Sequence, residues 1–408
     1  MNKSYKKYFI YYLLGIIFFS ACEEVAIPID NSVTNIPLSI DTVSFPVINT
    51  ISYQVPPDIG SHEFLYFGKK EEFSFLYNLI RFSNIDSTNL YTFDYYNDSL
   101  IVADSMKLIM SFVSDSIEKN VDFQLRYFPN YGDSIFNEST TNYTNFDQSI
   151  ASSVISSSTI SSYSIDSVTT QLKLNFLMDT TIINTFKDTS ITSFNSSFLV
   201  ELSDESSSEL KLFSSNNSSS PPKLRVYYRE FSSDSVGVDT SFHTYYSSQD
   251  VSIINKPNFS SSDTFNLSVG LAKGMRSLLL VDMEGWELPK RSIISSADLV
   301  YYRINDDTLI GYSVSSYPIT SEADFDKFNI FEIDPYDVEL NYLSSASLID
   351  NKLKIDYRKI STDYGRGVKV NYGFKLQSSP NSDPFKTIQF HNLNSNTLYP
   401  VLRIIYVK

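Results

Sequence analysis

Apolar and polar residues alternate along most of this chain, and that period of two limits the fold more than any other feature. Residues 105–113, 171–177 and 197–202 each place an apolar side chain at about every second position. This spacing is typical of a β-strand that buries one face. β-Branched and aromatic residues, with abundant serine and threonine, also favour strands over helices. Many short strands between polar turns predict an all-β fold of the sandwich type.

The strand pattern also occurs twice, in the same order. The matched segments are residues 41–45 with 239–242, residues 64–68 with 266–270, residues 102–111 with 293–302, residues 197–202 with 371–376, and residues 222–228 with 400–406. Similar strands that recur in one order indicate two copies of one domain. The last segment of each copy follows a proline, which suits entry to a strand because no backbone N–H is needed there.

These features predict a division of the chain into four parts. They are a lipoprotein signal peptide at residues 1–22, a tether at 23–35, a first β-sandwich at 36–230 and a second at 231–408. The boundary between the sandwiches falls in a stretch of serine, aspartate and glycine at residues 230–238. One short helix is predicted at residues 321–328, with Ser321 as its cap.

The N-terminal segment ends at Cys22, which is the one cysteine of the chain. Three lysines precede an apolar stretch at residues 8–19, and the small pair Ser20-Ala21 comes directly before Cys22. This order is that of a secretory signal, and as a helix the apolar stretch would rise only ~18 Å, short of a ~30 Å hydrocarbon core. A cysteine at this position resembles a bacterial lipobox. We therefore predict that a lipid is attached to Cys22 and holds the protein on a membrane.

Glu23 and Glu24 follow the predicted lipid site immediately. Acidic residues in this place resemble the export tag that moves lipoproteins to the outer face of the outer membrane in some Gram-negative bacteria. The prediction is a lipid-anchored outer-membrane protein at the cell surface. The alternative is that the two glutamates form a solvated spacer and that the protein lies on the periplasmic face.

The charge of the chain argues against a nucleic-acid partner, because its formal net charge is −15 and phosphate binding needs a basic surface. The distribution is uneven. Residues 350–408 contain ten Lys or Arg residues against four Asp residues, a local excess of six positive charges. Two interpretations stay open for this region: a solvated strand face, or a surface for an anionic polymer such as an acidic polysaccharide.

Residues that could carry catalysis are not grouped in any recognisable spacing. His62, His243 and His391 are isolated from one another, and no thiol remains once Cys22 carries a lipid. No Gly-x-Ser-x-Gly elbow or phosphate loop occurs. We predict a protein that is not an enzyme, with no catalytic residues, no cofactor and no metal site. Calcium held by the acidic segments 306–307 and 334–337 is kept as an alternative.

Tyrosine pairs recur along the strands. They are Tyr95-Tyr96, Tyr227-Tyr228, Tyr245-Tyr246 and Tyr301-Tyr302. In a strand one member of such a pair faces the core and its neighbour faces outward. An outward tyrosine serves strand propensity alone, stacks on a sugar ring, or anchors a protein interface.

Three motifs found in both copies resemble the disaggregatase-related β-sandwich family, whose jelly rolls occur as carbohydrate-binding modules. The segments are residues 75–82 with 276–280, residues 294–299 with 102–108, and residues 221–227 with 400–406. The run at residues 270–276 also resembles a group of uncharacterised Gram-negative surface lipoproteins. The resemblance implies two tandem sandwiches of the jelly-roll type. The asparagine–arginine signature of the family is absent, so the binding residues stay unassigned.

The functional hypothesis follows from the predicted location, the resemblance and the lack of catalytic motifs. It is a non-catalytic cell-envelope lipoprotein that presents binding surfaces, with a polysaccharide as the first ligand considered. The alternative is a structural or assembly component that binds another envelope protein. An enzyme acting on glycans is the least favoured interpretation, because a glycosidase needs two carboxylates facing each other across a cleft.

Overall fold

The computed structural model describes most of the chain after residue 38. The described residues are 39–83, 92–113, 116–117, 120–128, 135–160, 163–164, 172–186, 196–203, 209–232, 238–304, 312–395 and 397–408. Cys22, the predicted signal peptide and the predicted tether lie outside these residues. Within the described ranges, no helix is long and apolar enough to cross a membrane.

Strands dominate the described residues. They are β1 (Ile40–Gln54), β2 (Phe64–Lys70), β3 (Phe73–Phe82), β4 (Ile101–Ser111), β5 (Ser116–Ile117), β6 (Val121–Tyr127), β7 (Ser156–Ile160), β8 (Tyr163–Ser164), β9 (Lys173–Met178), β10 (Ser197–Leu202), β11 (Leu210–Phe213), β12 (Lys223–Phe231), β13 (Val238–Ile254), β14 (Leu267–Gly270), β15 (Met275–Val281), β16 (Ile293–Tyr302), β17 (Ser313–Pro318), β18 (Ser344–Ser347), β19 (Lys352–Asp356), β20 (Phe374–Ser378), β21 (Thr387–Phe390) and β22 (Val401–Val407). The helices are α1 (Thr181–Phe186), α2 (Ser261–Phe265) and α3 (Arg358–Gly365), and short 3-10 turns lie at Phe93–Asn97, Gln148–Ile150 and Leu340–Tyr342.

Two large antiparallel sheets have the same strand order. One runs β7-β6-β10-β3-β13-β12-β4-β9, with β2 paired to β3 and β11 paired to β2; we call it the first sandwich. The other runs β18-β17-β20-β15-β1-β22-β16-β19, with β14 paired to β15 and β21 paired to β14; we call it the second sandwich. Every strand of one order has its counterpart at the same place in the other. The predicted all-β fold and the recurring order of the matched strands are confirmed.

One long bent strand joins the two layers of each sandwich. The first part of β1, Ile40 to Pro46, pairs with β22, and the remainder pairs with β15 after a register shift between Val47 and Asn49. In the first sandwich β13 makes the same change, from β12 to β3, with a register shift between Ser247 and Gln249. A bulge bends a strand locally, which lets one sheet fold over its own apolar face.

On the side away from the bent strand, a serine hydrogen bond joins the two layers of each sandwich. Ser156 Oγ of β7 donates to Leu177 O of β9 at 2.6 Å, and Ser344 Oγ of β18 donates to Asp356 O of β19 at 2.7 Å. Each sandwich therefore encloses one main apolar core between its layers.

The bent strands are exchanged between the two repeats. In chain order β1 precedes the strands of the first sandwich, yet it lies between β15 and β22 of the second. β13 lies between β3 and β12 of the first. The predicted boundary at residue 231 therefore placed both strands in the wrong sandwich. Segment matching identifies equivalent strands, but it cannot tell which copy a strand joins, because both positions offer a similar backbone ladder.

Buried serines show how closely the two strand positions correspond. Ser52 of β1 accepts a hydrogen bond from Ser268 N at 2.8 Å, and Ser252 of β13 accepts one from Tyr66 N at 2.9 Å. Ser52 and Ser252 hold equivalent places, so equivalent residues of β1 and β13 are 200 positions apart in the sequence. The Asp-Thr match between residues 41–42 and 239–240 was misaligned by two residues.

Other side chains distinguish the two positions. His243 of β13 lies with its Nδ1 2.9 Å from the Tyr96 hydroxyl, and Tyr245 stacks on Phe93 at 4.1 Å. Tyr53 of β1 instead donates to Asp334 at 3.2 Å. The partners in these polar contacts belong to one sandwich and not to the other. Placing either strand in the other position would therefore leave buried polar groups unsatisfied, at a cost of about 1–3 kcal/mol for each group.

The sandwiches meet at a packed junction. Phe385 of the second sandwich lies within an aromatic cluster of the first, with ring centroids 4.7 Å from Tyr66 and 4.9 Å from Phe75. Ile59, from the connection between β1 and β2, is buried in the same cluster. Lys386 pairs with Glu71 across the junction at 2.5 Å. Apolar burial and charge pairing therefore both join the two halves.

One predicted element is absent. Residues 321–328 form no helix; they belong to a long loop over β1 and β17. Ala323 and Phe325 of this loop pack against the cluster that contains Tyr53, and Asp324 Oδ1 accepts from Asp326 N at 2.8 Å. Tertiary packing and a local side-chain bond thus replace the helical hydrogen bonds.

The exchange of β1 can be tested with a disulfide. Ser44 lies directly opposite Arg403 of β22, whereas Arg225 holds the equivalent place in the first sandwich. Directly opposed Cα atoms in antiparallel strands are ~4.5–5.5 Å apart, within the range a disulfide spans. In a chain starting at residue 23, S44C with R403C should cross-link on oxidation, as seen by non-reducing electrophoresis. S44C with R225C should not cross-link. If this control pair alone cross-linked, β1 would lie in the first sandwich.

Asp250 of β13 generates a prediction about pH. Its carboxylate is fully buried, Oδ2 accepts from Ser215 N at 2.6 Å, and burial raises its pKa to about 8. The unfolded aspartate ionises near ~4, so between about pH 4 and 8 ionisation favours the unfolded chain and stability falls as pH rises. Asp250→Asn should therefore raise the urea midpoint at pH 8, with the gain shrinking towards pH 4. Asp239→Asn, exposed on the same strand, is the control; equal midpoints for wild type and Asp250→Asn at pH 8 would contradict the prediction.

Candidate binding face

The outer face of the β9-β4-β12-β13 layer carries an unusual set of side chains. Alternation sends Leu224, Val226 and Tyr245 into the core, and sends their neighbours outward. The outward residues are Lys107, Lys223, Arg225, Tyr227, Phe242 and Tyr246, which we call the aromatic–cationic face.

Register places these side chains in adjacent rows. Arg225 lies opposite Lys107 of β4 on one side and Thr244 of β13 on the other. Lys223 lies opposite Tyr246, and Tyr227 lies opposite Phe242. Directly opposed residues have Cβ atoms ~4.5–5.5 Å apart, so the six side chains form one continuous surface.

The aromatic rings of this face are open to solvent. Phe242 is 47 % exposed and Tyr246 is 36 % exposed. The ring centroids of Tyr227 and Phe242 are 5.7 Å apart. The Arg225 guanidinium lies 4.9 Å from the Phe242 ring, and Lys223 Nζ lies 5.3 Å from the Tyr246 ring. The cations therefore sit over aromatic rings, where cation–π attraction holds them.

The cations of the aromatic–cationic face differ from their neighbour Arg229 in their ion pairs. Within the described residues, Lys107, Lys223 and Arg225 form no ion pair. The neighbouring cation Arg229 does, with Asp104 at 2.8 Å, and it marks the end of the face. Positive charge without a counter-ion attracts anionic groups.

The equivalent row of the second sandwich has a net charge of the opposite sign. Arg403 is the counterpart of Arg225, but Asp298 stands opposite it where the first sandwich has Lys107. Asp356 lies beyond Asp298, where the first sandwich has Leu177. The row in the first sandwich carries two positive charges, whereas one positive and two negative charges occupy its counterpart. Of these two described rows, the one in the first sandwich is cationic.

A rigid cluster supports the aromatic–cationic face from beneath. His243 packs against Tyr95 and Tyr228, with ring centroids 4.9 Å and 4.6 Å away, and both rings of the stacked pair Phe93 and Tyr245 are fully buried. These contacts fix the backbone of β13 between its two outward rings. The outward rings Phe242 and Tyr246 therefore flank a stretch of β13 whose inward side chains are packed in the core.

The basic C-terminal region is largely neutralised. Six of its ten cations form ion pairs: Lys354 with Asp298, Arg358 with Asp356, Lys369 with Glu339, Lys375 with Asp334, Lys386 with Glu71, and Lys408 with Asp41. Five of these acids come from outside residues 350–408, so the count along the sequence overstated the local charge. The unpaired cationic row lies in the first sandwich instead.

Asp334 is engaged by cations and a tyrosine. Arg276, Lys375 Nζ at 2.6 Å and the Tyr53 hydroxyl at 3.2 Å all contact its carboxylate. Burial works to raise the pKa of Asp334, but the charges of Arg276 and Lys375 outweigh it and lower the pKa. A carboxylate so occupied is a poor calcium ligand. The other acidic segment considered for calcium, residues 306–307, lies outside the described residues.

The three histidines have three different surroundings. His62 is buried beside the Tyr66 hydroxyl at 2.9 Å, and burial lowers its pKa to about 4. His243 belongs to the supporting cluster, and His391 is half-buried after β21. Among the described residues, no group of three His, Cys, Asp or Glu side chains is placed to hold a metal ion.

Three of the four tyrosine pairs follow the predicted alternation: Tyr228, Tyr245 and Tyr301 are buried, while Tyr227, Tyr246 and Tyr302 are turned outward. The prediction is wrong for Tyr95-Tyr96, which lies in a 3-10 turn and not in a strand. The structure brings two of these outward tyrosines together on the aromatic–cationic face. Lys107, Arg225 and Phe242 carry no motif in the sequence, although the alternation of residues 105–113 and 223–228 marks the first two as outward.

Comparison with known proteins adds no family assignment. No protein-family model matches this chain, and a search of the curated proteins finds no match. The resemblance to disaggregatase-related sandwiches therefore stays a hypothesis carried by the motifs in the sequence.

Removal of the Asp334 carboxylate tests the buried ion network. In Asp334→Ala, Lys375, which is 5 % exposed, and Arg276 lose their counter-ion, and we expect a loss of about 3 kcal/mol in the free energy of unfolding. Because the folded-state pKa of Asp334 is lowered, its contribution is present above the unfolded-state value near ~4 and is lost as pH falls through the folded-state pKa. Urea titrations at pH 7 measure the loss. Asp326→Ala, exposed in the same loop, should change stability by less than about 0.5 kcal/mol, and a similar value for Asp334→Ala would refute the role of the network.

Proposed function

We propose that this protein is a non-catalytic envelope lipoprotein whose first sandwich binds an acidic polysaccharide. The observation that supports the ligand class is the aromatic–cationic face: open rings beside cations that have no carboxylate partner among the described residues. Aromatic rings offer apolar surfaces on which sugar rings stack. Lys and Arg bind carboxylate or sulfate groups through charge-assisted hydrogen bonds.

The geometry of the face suits an extended polymer. The side chains lie in rows across neighbouring strands, and Tyr227 with Phe242 forms a ring pair next to Arg225. A repeating acidic sugar could place rings on the aromatic residues and carboxylates on the cations in succession. The family resemblance in the sequence supports a carbohydrate ligand independently of this surface.

The proposed anchor is a lipid on Cys22 in the outer membrane, with the protein at the cell surface. The exchanged strand supports an orientation for it. β1 is the first strand after the predicted tether, and it belongs to the second sandwich. The second sandwich would then stand nearer the membrane, and the first sandwich with its aromatic–cationic face would stand further out. The alternative, anchorage on the periplasmic face, gives the same order of sandwiches.

A second candidate function is the binding of another envelope protein. The observation that favours it is the edge of β13, where residues 238–242 are exposed and pair only with β12 among the described strands. An exposed sheet edge can accept a strand from a partner. A protein partner would bind in a stoichiometric ratio, and pull-down from membranes separates this function from binding to a heterogeneous polymer. A glycan-active enzyme is the third alternative and predicts turnover.

The polysaccharide proposal is tested by converting the face to the pattern of the second sandwich. Lys107→Asp should reduce binding of the chain starting at residue 23 to alginate, an acidic uronate polymer, by about tenfold or more, because it places a carboxylate beside Arg225. Phe242→Ala should also weaken binding, through lost stacking. Affinity electrophoresis in gels with alginate or with neutral dextran measures the difference.

A matched control lies on the second sandwich. Arg403→Ala occupies the position equivalent to Arg225→Ala, and only Arg225→Ala should weaken alginate binding. Equal retardation of wild type and Lys107→Asp, or no retardation of either by acidic polymers, would reject the aromatic–cationic face as the binding site.

A further inference from the structure

The second sandwich has a distinct end at which the tether enters. Ile40 is the first residue of β1, and residue 39 is the first that the structure describes. Ile40 lies opposite Val407, and Val407 lies opposite Ile293 of β16. We call the region around this row the tether end. The other end of β1 leads through residues 55–63 to the first sandwich.

The row at the tether end is apolar and exposed. Ile40 is 69 % exposed and Ile293 is 71 % exposed. Both side chains are on the outer face of the layer, one on each side of Val407 of β22. Single exposed apolar residues are ordinary, but two isoleucines in register on one row form a small apolar patch.

Cations surround this patch. Lys290 and Arg291 come directly before β16, are exposed, and form no ion pair within the described residues. Lys408 pairs with Asp41 beside Ile40. Arg358 and Lys359 begin α3, and Arg358 pairs with Asp356. The charge of Asp298 also reaches Arg358, so these five cations face three carboxylates, and the next acid along the chain from Lys290 is Glu287.

A cavity of about 500 Å³ opens beside the patch. Ile294 and Leu343 provide apolar lining, while Arg358 and Lys359 provide positive charge. Lys359 Nζ donates to Asn341 O at 2.8 Å and lies 4.6 Å from the Tyr342 ring. Asp356, Ser344 and Thr362 also line the cavity, so its lining is mixed, with two cations and one carboxylate beside apolar side chains. The two cations suit the phosphate of a phospholipid headgroup.

We propose that the tether end of the second sandwich rests on an anionic membrane surface. The occupant is argued from two features: the tether that precedes Ile40 brings this end to the membrane, and its cations complement anionic headgroups. Apolar side chains insert at the headgroup boundary while Lys and Arg contact phosphates, as in other interfacial segments. The inference rests on the proposed membrane anchor, but it assigns the contact to the folded body and not to the lipid.

Vesicle binding without the lipid tests the proposal. A chain starting at residue 23 keeps every described residue and lacks Cys22. It should co-sediment with phosphatidylcholine vesicles that contain about one-third phosphatidylglycerol, and roughly tenfold less with pure phosphatidylcholine. Raising the salt concentration should weaken the binding, because screening reduces the attraction between exposed charges.

Paired variants locate the contact. Ile40→Ser with Ile293→Ser, and separately Lys290→Glu with Arg291→Glu, should each reduce binding to the anionic vesicles by about tenfold or more. Ile330→Ser with Ile333→Ser is the matched control, because these exposed isoleucines lie by the opposite end of β1, where Ile330 bridges to Gln54. The control should bind like wild type. Absence of binding by wild type, or an equal loss in the control, would overturn the proposal.

Alginate binding by the same variants separates this inference from the proposed function. The tether-end variants should keep wild-type alginate affinity, which also shows that they fold. If alginate binding fails while vesicle binding persists, the polysaccharide proposal is rejected and the membrane contact stands. If vesicle binding fails while alginate binding persists, the membrane contact alone is rejected.

Discussion

The insertion of β1 between β15 and β22 is the interaction on which the rest of the structure depends. β1 is a central strand of the second sandwich; its first half pairs with β22 and its second half pairs with β15. Its inward side chains Phe45 and Val47 are buried in the main core, and full burial of each such side chain contributes about 1.5–3 kcal/mol. Without β1, that sandwich would lose both the connection between its layers and part of its core. β1, which follows the predicted tether, therefore stabilises the second sandwich, whose other strands are synthesised last.

Buried polar groups decide which bent strand enters which sandwich. The apolar pattern of β1 and β13 is similar, and Ser52 and Ser252 make the same bond in their two positions. Specificity comes from the partners of His243 in the first sandwich and of Tyr53 in the second. Apolar burial supplies most of the stabilisation, whereas polar complementarity excludes the wrong arrangement. On the surface, two differences between the copies, Lys107 against Asp298 and Leu177 against Asp356, separate a cationic row from one in which carboxylates outnumber the single cation.

The candidate site could be predicted only in part. Alternation identifies Tyr227 and Tyr246 as outward residues, and the recurrence of strands identifies the equivalent positions in the two copies. The local charge balance was not accessible, because ion partners such as Glu71 for Lys386 are separated by hundreds of positions along the chain. A count over residues 350–408 therefore pointed to the wrong region, and the cationic row of the first sandwich was overlooked. Cross-strand register, which a single sequence does not contain, places Lys107 beside Arg225.

The sequence by itself determined the all-β class, the two copies of one strand order and the entry of each closing strand after a proline, because these follow from local periodicity and from backbone chemistry. Only the tertiary structure decided which copy each bent strand completes, which cations are neutralised, and which rings share a surface. These outcomes depend on contacts between residues far apart in sequence, such as Ile40 with Val407. Local pattern is similar in the two copies, so long-range packing and pairing had to make the choice.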